Sequence, residues 1–177
     1  MNLTKFFRTA IAISALFVGV AQTAKADIVT WTGDTTGGPT VDLTPLGADA
    51  SAVPYDAWSF TVDQSGEYTF LLTAVYNIDS VIVLYENSFD PNDAFSNSIA
   101  AGDDDVSLNT SSTWASLTAG THYTLLVAGF GDTDYGAYSV TIGGPGLITA
   151  VPEPSTWLML GLGLAAVGYT ARRKSQL

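Results

Sequence analysis

The side chains best equipped for chemistry in this sequence are carboxylates. Asp103-Asp104-Asp105 sets three in a row, after an Ala-Gly pair and before a polar stretch, and Asp79, Asp90, Asp93, Asp132 and Asp134 fall in other loop-like segments. Ca²⁺ accepts about six to eight oxygen ligands in tolerant geometry, so carboxylates on neighbouring loops suit it. Asp79, Asp90, Asp103, Asp104 and Asp105 are therefore the candidate Ca²⁺ ligands. The alternating D-x-[DN]-x-[DN]-G spacing of an EF-hand loop is absent. The competing reading is that these aspartates end strands, make Asx turns and keep the protein soluble. No cofactor besides Ca²⁺ is indicated.

Other chemistries lack their residues. Without Cys there is no disulfide, thiolate metal site or Cys nucleophile. His122 is the single His and stands at a strand entry, where a solvent-facing residue is expected. A Ser-His-Asp triad or a histidine zinc site would have to be built around it alone. Carboxylate pairs for glycoside hydrolysis are plentiful, yet residues 27–171 contain no Lys or Arg to orient a substrate. The expectation is a protein that is not an enzyme. Nucleic acid is excluded by the same missing cations. Trp31 and Trp114 read as ordinary core residues of a β domain.

All six basic residues stand near the ends: Lys5, Arg8 and Lys25, then Arg172, Arg173 and Lys174. Residues 1–26 read as a signal peptide. Lys5 and Arg8 form its positive region and 9–21 its short apolar run, while Ala24-Lys25-Ala26 offers signal peptidase a small-x-small cleavage pattern. At the other end Pro152, Glu153 and Pro154 hold residues 151–155 extended. An uncharged run follows at 157–171, reaching ~22 Å as a helix against a ~30 Å hydrocarbon core. The basic cluster Arg172, Arg173 and Lys174 then sets the tail on the cytoplasmic side. A span this short and glycine-rich predicts transient inner-membrane anchoring.

This tail of Pro-Glu-Pro, short apolar helix and basic cluster resembles the PEP-CTERM sorting signal of Gram-negative bacteria over residues 151–177. The resemblance implies recognition by an exosortase, cleavage near the motif and passage to the cell surface or extracellular matrix.

Residues 27–150 hold every acidic residue except Glu153, a formal charge of −16 with no basic side chain. Their patterning is nearly all β. Trp58, Phe60 and Val62 alternate with polar neighbours, as do Tyr68, Phe70 and Leu72 beyond the turn 63–66, and the pair reads as a hairpin. The run 80–85 (SVIVLY) is apolar on both faces and predicts a central strand. Segments 122–129 and 137–142 read as a second pair joined by the loop 130–136, with Gly120 and Gly136 supplying positive φ. The predicted fold is all-β, an antiparallel sandwich or barrel.

The order of Asp79-Ser80-Val81-Ile82-Val83-Leu84-Tyr85, Phe89-Asp90-Pro91, Asp103-Asp104-Asp105, Leu117 to Tyr123 and Gly136 to Ile142 is similar to the bacterial pre-peptidase C-terminal domain, over about residues 55–146. The resemblance implies a jelly-roll-like β-sandwich, an accessory module beside secreted proteases of which some members bind Ca²⁺ or polymeric substrates. Here no protease domain accompanies it.

Together these features predict an exported, exosortase-processed surface or matrix protein with a structural or binding role in extracellular polysaccharide or biofilm. Two alternatives are a Ca²⁺-dependent module for a polysaccharide or protein ligand, and an accessory partner of a secreted hydrolase.

Overall fold

The computed structural model describes residues 26–75, 78–151 and 161–164. The signal-peptide residues through Lys25, Ala24 among them, the motif Pro152, Glu153 and Pro154, most of the 157–171 run and the cluster Arg172, Arg173 and Lys174 lie outside the described residues. Residues 161–164 are helical, and among the described residues no helix is long and apolar enough to cross a membrane.

Residues 27–150 form an antiparallel β-sandwich. The strands are β1 (Asp27–Asp34), β2 (Thr40–Val41), β3 (Val53–Val62), β4 (Gly66–Ala74), β5 (Ser80–Glu86), β6 (Ser98–Gly102), β7 (Thr110–Leu117), β8 (His122–Gly129), β9 (Ala137–Gly144) and β10 (Ile148–Ala150). One sheet runs β1-β9-β4-β7, and the other runs β10-β3-β8-β5-β6 with β2 beside β3.

Alternation along the strands builds the core. Phe60, Val62, Tyr68, Phe70, Leu72, Val140 and Ile142 all turn inward and are buried between the sheets. Period-2 patterning puts successive side chains on opposite faces, so each strand lends one face to this layer. Trp31, partly buried against this layer, stacks on Trp58 at 5.4 Å and 16°. The Trp58 Nε1–H donates to the Tyr138 hydroxyl at 2.6 Å, and that hydroxyl donates to Asp56 Oδ2 at 2.9 Å.

Both expected hairpins are instead crossings between sheets. β3 pairs with β8, β10 and β2, whereas β4 pairs with β7 and β9. The turn 63–66 therefore carries the chain over the sandwich edge, held where Asp63 Oδ1 accepts the Leu147 N–H at 2.6 Å. β8 and β9 likewise belong to different sheets. A hairpin and an arch share the same turn residues and the same alternation, so local pattern does not separate them. Gly120 (φ 76°) and Gly136 (φ 152°) do adopt the left-handed region expected of them.

The second sheet is covered on its outer face as well. Leu43, Ala50, Val53, Val81, Val83, Tyr85, Ala94 and Leu126 form a second buried cluster there, beneath loop segments that include the 3-10 turn Thr44–Leu46. Tyr85 donates to the Ala94 carbonyl at 2.8 Å, tying the 87–97 loop down. This explains the uninterrupted apolar run of β5, which is paired on both edges and buried on both faces. Among the described residues the outer face of the four-stranded sheet has no such cluster.

Candidate metal centre

Three aspartates from two separate segments meet at one end of the sandwich. Asp79 enters β5, while Asp103 and Asp104 leave β6, and one carboxylate oxygen from each lies within 4.8 Å of the others. Several close fits hold them there. The Phe130 N–H donates to the Asp79 carbonyl at 2.9 Å, and the Ser80 N–H donates to Leu108 O at 2.9 Å. Ser80 and Ser111, both fully buried, share a hydroxyl–hydroxyl bond of 2.7 Å. Ser111 is also bridged to Asp104 through the backbone. The buried serine pair thus fixes the entry of β5 against the exit of β6. Gly102 is required by the same packing, because a Cβ there would collide with the Ser112 carbonyl.

The electrostatic strain of the cluster centres on Asp79. Burial, followed by the charges of Asp103, Asp104 and Asp134, pushes the Asp79 carboxyl up to about 6. Its Oδ1 is buried with no hydrogen-bond partner. Burial and then the Asp104 charge raise Asp103 too. Asp103 borders a cavity of about 180 Å³ whose walls include Leu43, Val81, Val83 and Phe130, while Asp103 and Asp104 themselves are exposed and Asp79 is half-buried. Burial and neighbouring like charge thus favour the neutral form of Asp79, a cost that a cation joining the carboxylates would offset.

Of the five candidate ligands, the structure brings together Asp79, Asp103 and Asp104. Asp90 stands apart: its Oδ1 accepts the Asn92 N–H and side-chain amide at 2.9 and 3.0 Å, a local turn. Asp105 is not among the three, and its N–H instead donates to Thr110 O at 2.8 Å, closing the next loop. Ser80 and Ser111 escaped the sequence reading, since a small polar residue at a strand start looks like any other. Trp114 was misplaced by it. Its side chain is 63% exposed on the outer face of the four-stranded sheet, while Trp31 is partly buried and packs against the core.

Residues 150–174 match the PEP-CTERM protein-sorting motif. The chain thus ends in the signal of an exported protein processed by an exosortase, attached to an antiparallel β-sandwich. No curated protein matches the sequence. Among solved structures, the pre-peptidase C-terminal domain of a Bacillus anthracis collagenase is similar at 20% identity, over 64% of this chain and 87% of that one, with a TM-score of 0.45. A family 35 carbohydrate-binding module from an environmental isolate is similar at 19% identity, over 70% and 99%, with a TM-score of 0.42. The Yersinia pseudotuberculosis-derived mitogen is similar at 14% identity, over 73% and 90%, with a TM-score of 0.39.

Proposed function

We propose that the mature protein is a non-catalytic component of the cell surface or extracellular matrix of a Gram-negative bacterium, with a structural or binding role in the exopolysaccharide layer. In this reading signal peptidase cuts after Ala26 and an exosortase acts near Pro152, Glu153 and Pro154 on an inner-membrane intermediate. Ca²⁺ held by Asp79, Asp103 and Asp104 stabilises the sandwich outside the cell.

The observation that carries the Ca²⁺ part is the convergence of three carboxylates in a region where 27–171 contain no Lys or Arg. A domain with this many like charges opposes its own folding. A divalent ion bound only by the folded state offsets that repulsion locally and adds stability by mass action. Backbone carbonyls and water can complete the shell, since the ion does not demand a fixed geometry.

The test is thermal unfolding in millimolar Ca²⁺ against NaCl of matched ionic strength. A larger rise in Ca²⁺ is expected, and equal rises would reduce the cluster to a solvated surface. Mass spectrometry of the protein from its host tests processing. Loss of residues 1–26 and of the tail beyond the Pro-Glu-Pro motif is expected, and an intact chain would refute it.

A further inference from the structure

The four-stranded sheet turns outward a face unlike the rest of the molecule. Its strand register lines up three complete rows. The first runs Trp114, Thr69, Gly143, Ile28 and the second Ser112, Leu71, Thr141, Thr30. The third is hydroxyl throughout, with Thr110, Thr73, Ser139 and Thr32. At ordinary sheet spacings these rows cover about 14 Å by 14 Å.

Apolar side chains stand openly among the hydroxyls. Trp114 is 63% exposed, Ile28 74% and Leu71 45%. Gly143 leaves a shallow gap in Trp114's own row, between Thr69 and Ile28. The hydroxyls bond across strands, as Thr30 and Thr141 do at 2.9 Å. A hydroxyl keeps donor and acceptor capacity beyond one such bond.

The rows contain no charged residue, although the domain carries 16 acids; Asp34 and Glu67 only border them. That absence decides the occupant. A cationic partner would be drawn to the acids elsewhere, and an anionic polymer would be repelled by the domain as a whole. A second copy brings the same negative charge to the contact. What fits a neutral, hydroxyl-rich sheet with an exposed indole is an uncharged polyhydroxylated chain. Its sugar rings present C–H faces to the negative face of the aromatic and hydroxyls to the threonines.

We propose that the outer face of β1, β9, β4 and β7 docks a neutral polysaccharide, with Trp114 as the stacking platform and the Thr/Ser rows as the hydrogen-bonding floor. This deepens the binding role proposed above and rests on it, but does not use the metal cluster.

The experiment is retention of the full chain, in mild detergent, on amorphous cellulose and on an insoluble β-1,3-glucan, with alginate as the anionic control. Retention on at least one neutral glucan and none on alginate is expected. Trp114→Ala should lower that retention about tenfold or more, as loss of an aromatic anchor does, and Trp114→Tyr should restore part of it. Both variants should keep the wild-type melting temperature and its response to Ca²⁺. Failure to bind either neutral glucan, or equal retention of Trp114→Ala, overturns the inference while leaving the Ca²⁺ and sorting proposals standing. So does a Trp114-dependent dimer that ignores glucans, which would make a second copy the occupant. Conversely, glucan retention with no Ca²⁺-specific stabilisation removes the metal proposal and spares this one.

Discussion

Two groups of aspartates in this domain share a residue type and little else. Asp34, Asp42, Asp93 and Asp132 each sit among donors. Asp42 is held below the usual carboxylate range by the Thr44 hydroxyl and then its N–H, and Asp93 by the Ser96 hydroxyl and then its N–H. Asp34 is lowered by Thr36 in the same way. Asp132 is lowered by the Ala52 N–H and then the Ser51 hydroxyl, across a gap of 80 residues. Asp79 is raised instead by burial and then by Asp103, Asp104 and Asp134, and Asp103 by burial and then by Asp104. In the first group donors outweigh burial; in the second burial and like charge outweigh the backbone donor at Asp103, and Asp79 Oδ1 has no partner. Abundance of acid therefore says little about a metal; what distinguishes the proposed site is that its acids are raised where the others are lowered.

The largest expected effect follows from filling that deficit. At a Ca²⁺ concentration of 100 times the dissociation constant, mass action contributes about 2.7 kcal/mol. For a domain of this size that raises the melting temperature by about 8–10 °C beyond matched NaCl. The donor-satisfied aspartates offer no such site, so Asp42→Asn or Asp93→Asn should leave the Ca²⁺ increment intact. An increment lost in those variants would erase the distinction between the groups.

Next in size is a reversal at Asp79. Asp79→Asn removes a charge that burial and three neighbouring acids oppose. In Ca²⁺-free buffer at pH 7 it should stabilise by about 1 kcal/mol once solvent screening is allowed for, or about 3 °C. In saturating Ca²⁺ the same variant should melt below the wild type, having lost a ligand. Thermal melts with EDTA and with Ca²⁺ check both signs. A variant less stable in both buffers would mean that Asp79 is structural, like the first group.

Much of the sandwich could be read from alternation alone. The inward sets at 58, 60, 62 and at 68, 70, 72 follow from it, as does the doubly buried strand at 80–85, because burial and strand period are local. What escaped is what depends on partners far along the chain. β1 pairs with β9 more than a hundred residues away, and the 63–66 arch passed for a hairpin because sheet membership is settled by distant strands. The candidate site divided the same way. Asp79 and Asp103 were legible as loop acids, but Ser80 and Ser111 acquire meaning only once β5 and β7 meet. Trp114 looked like core because of its residue type; its i±2 neighbours Ser112 and Ser116 were the clue that it faces outward.

Acidification separates the two groups by sign. A carboxyl raised in the folded state takes up its proton on folding, so its burden is present above about pH 6 and is relieved as pH falls toward 4. A carboxyl lowered in the folded state contributes stability that is present above its unfolded value, near 4, and lost as pH drops through its folded one. Ca²⁺-free protein should therefore gain melting temperature from pH 7 to about 5 and lose it below about 4. Relief of overall charge repulsion adds to the first slope, so Asp79→Asn is the control: the gain between pH 7 and 5 should shrink in it. In saturating Ca²⁺ the slope should invert, because protons compete with the ion for the same oxygens. A gain of equal size in wild type and variant would assign the effect to net charge alone.

The smallest expected effect lies at Asp132, and it tests whether donor satisfaction is what sets the first group apart. Asp132 Oδ1 accepts the Ala52 N–H at 2.8 Å and Oδ2 accepts the Ser51 hydroxyl at 2.9 Å, joining the loop before β3 to the loop after β8. Asp132→Asn keeps one acceptor and turns the other position into a donor. The Ser51 hydroxyl can rotate to accept from it, so both contacts can survive without the charge. Asp132→Ala keeps neither. At neutral pH the Asn variant should melt within about 1–2 °C of wild type and the Ala variant somewhat lower, as exposed substitutions of this kind do. Neither should alter the Ca²⁺ increment, because Asp132 is not one of the three converging carboxylates. Below pH 4 the wild type should lose its advantage over Asp132→Asn, since protonating the acid removes the charge-assisted part of both bonds. A Ca²⁺ increment reduced in Asp132→Asn, with the melt otherwise unchanged, would extend the metal's field into the donor-satisfied group and break the division between them.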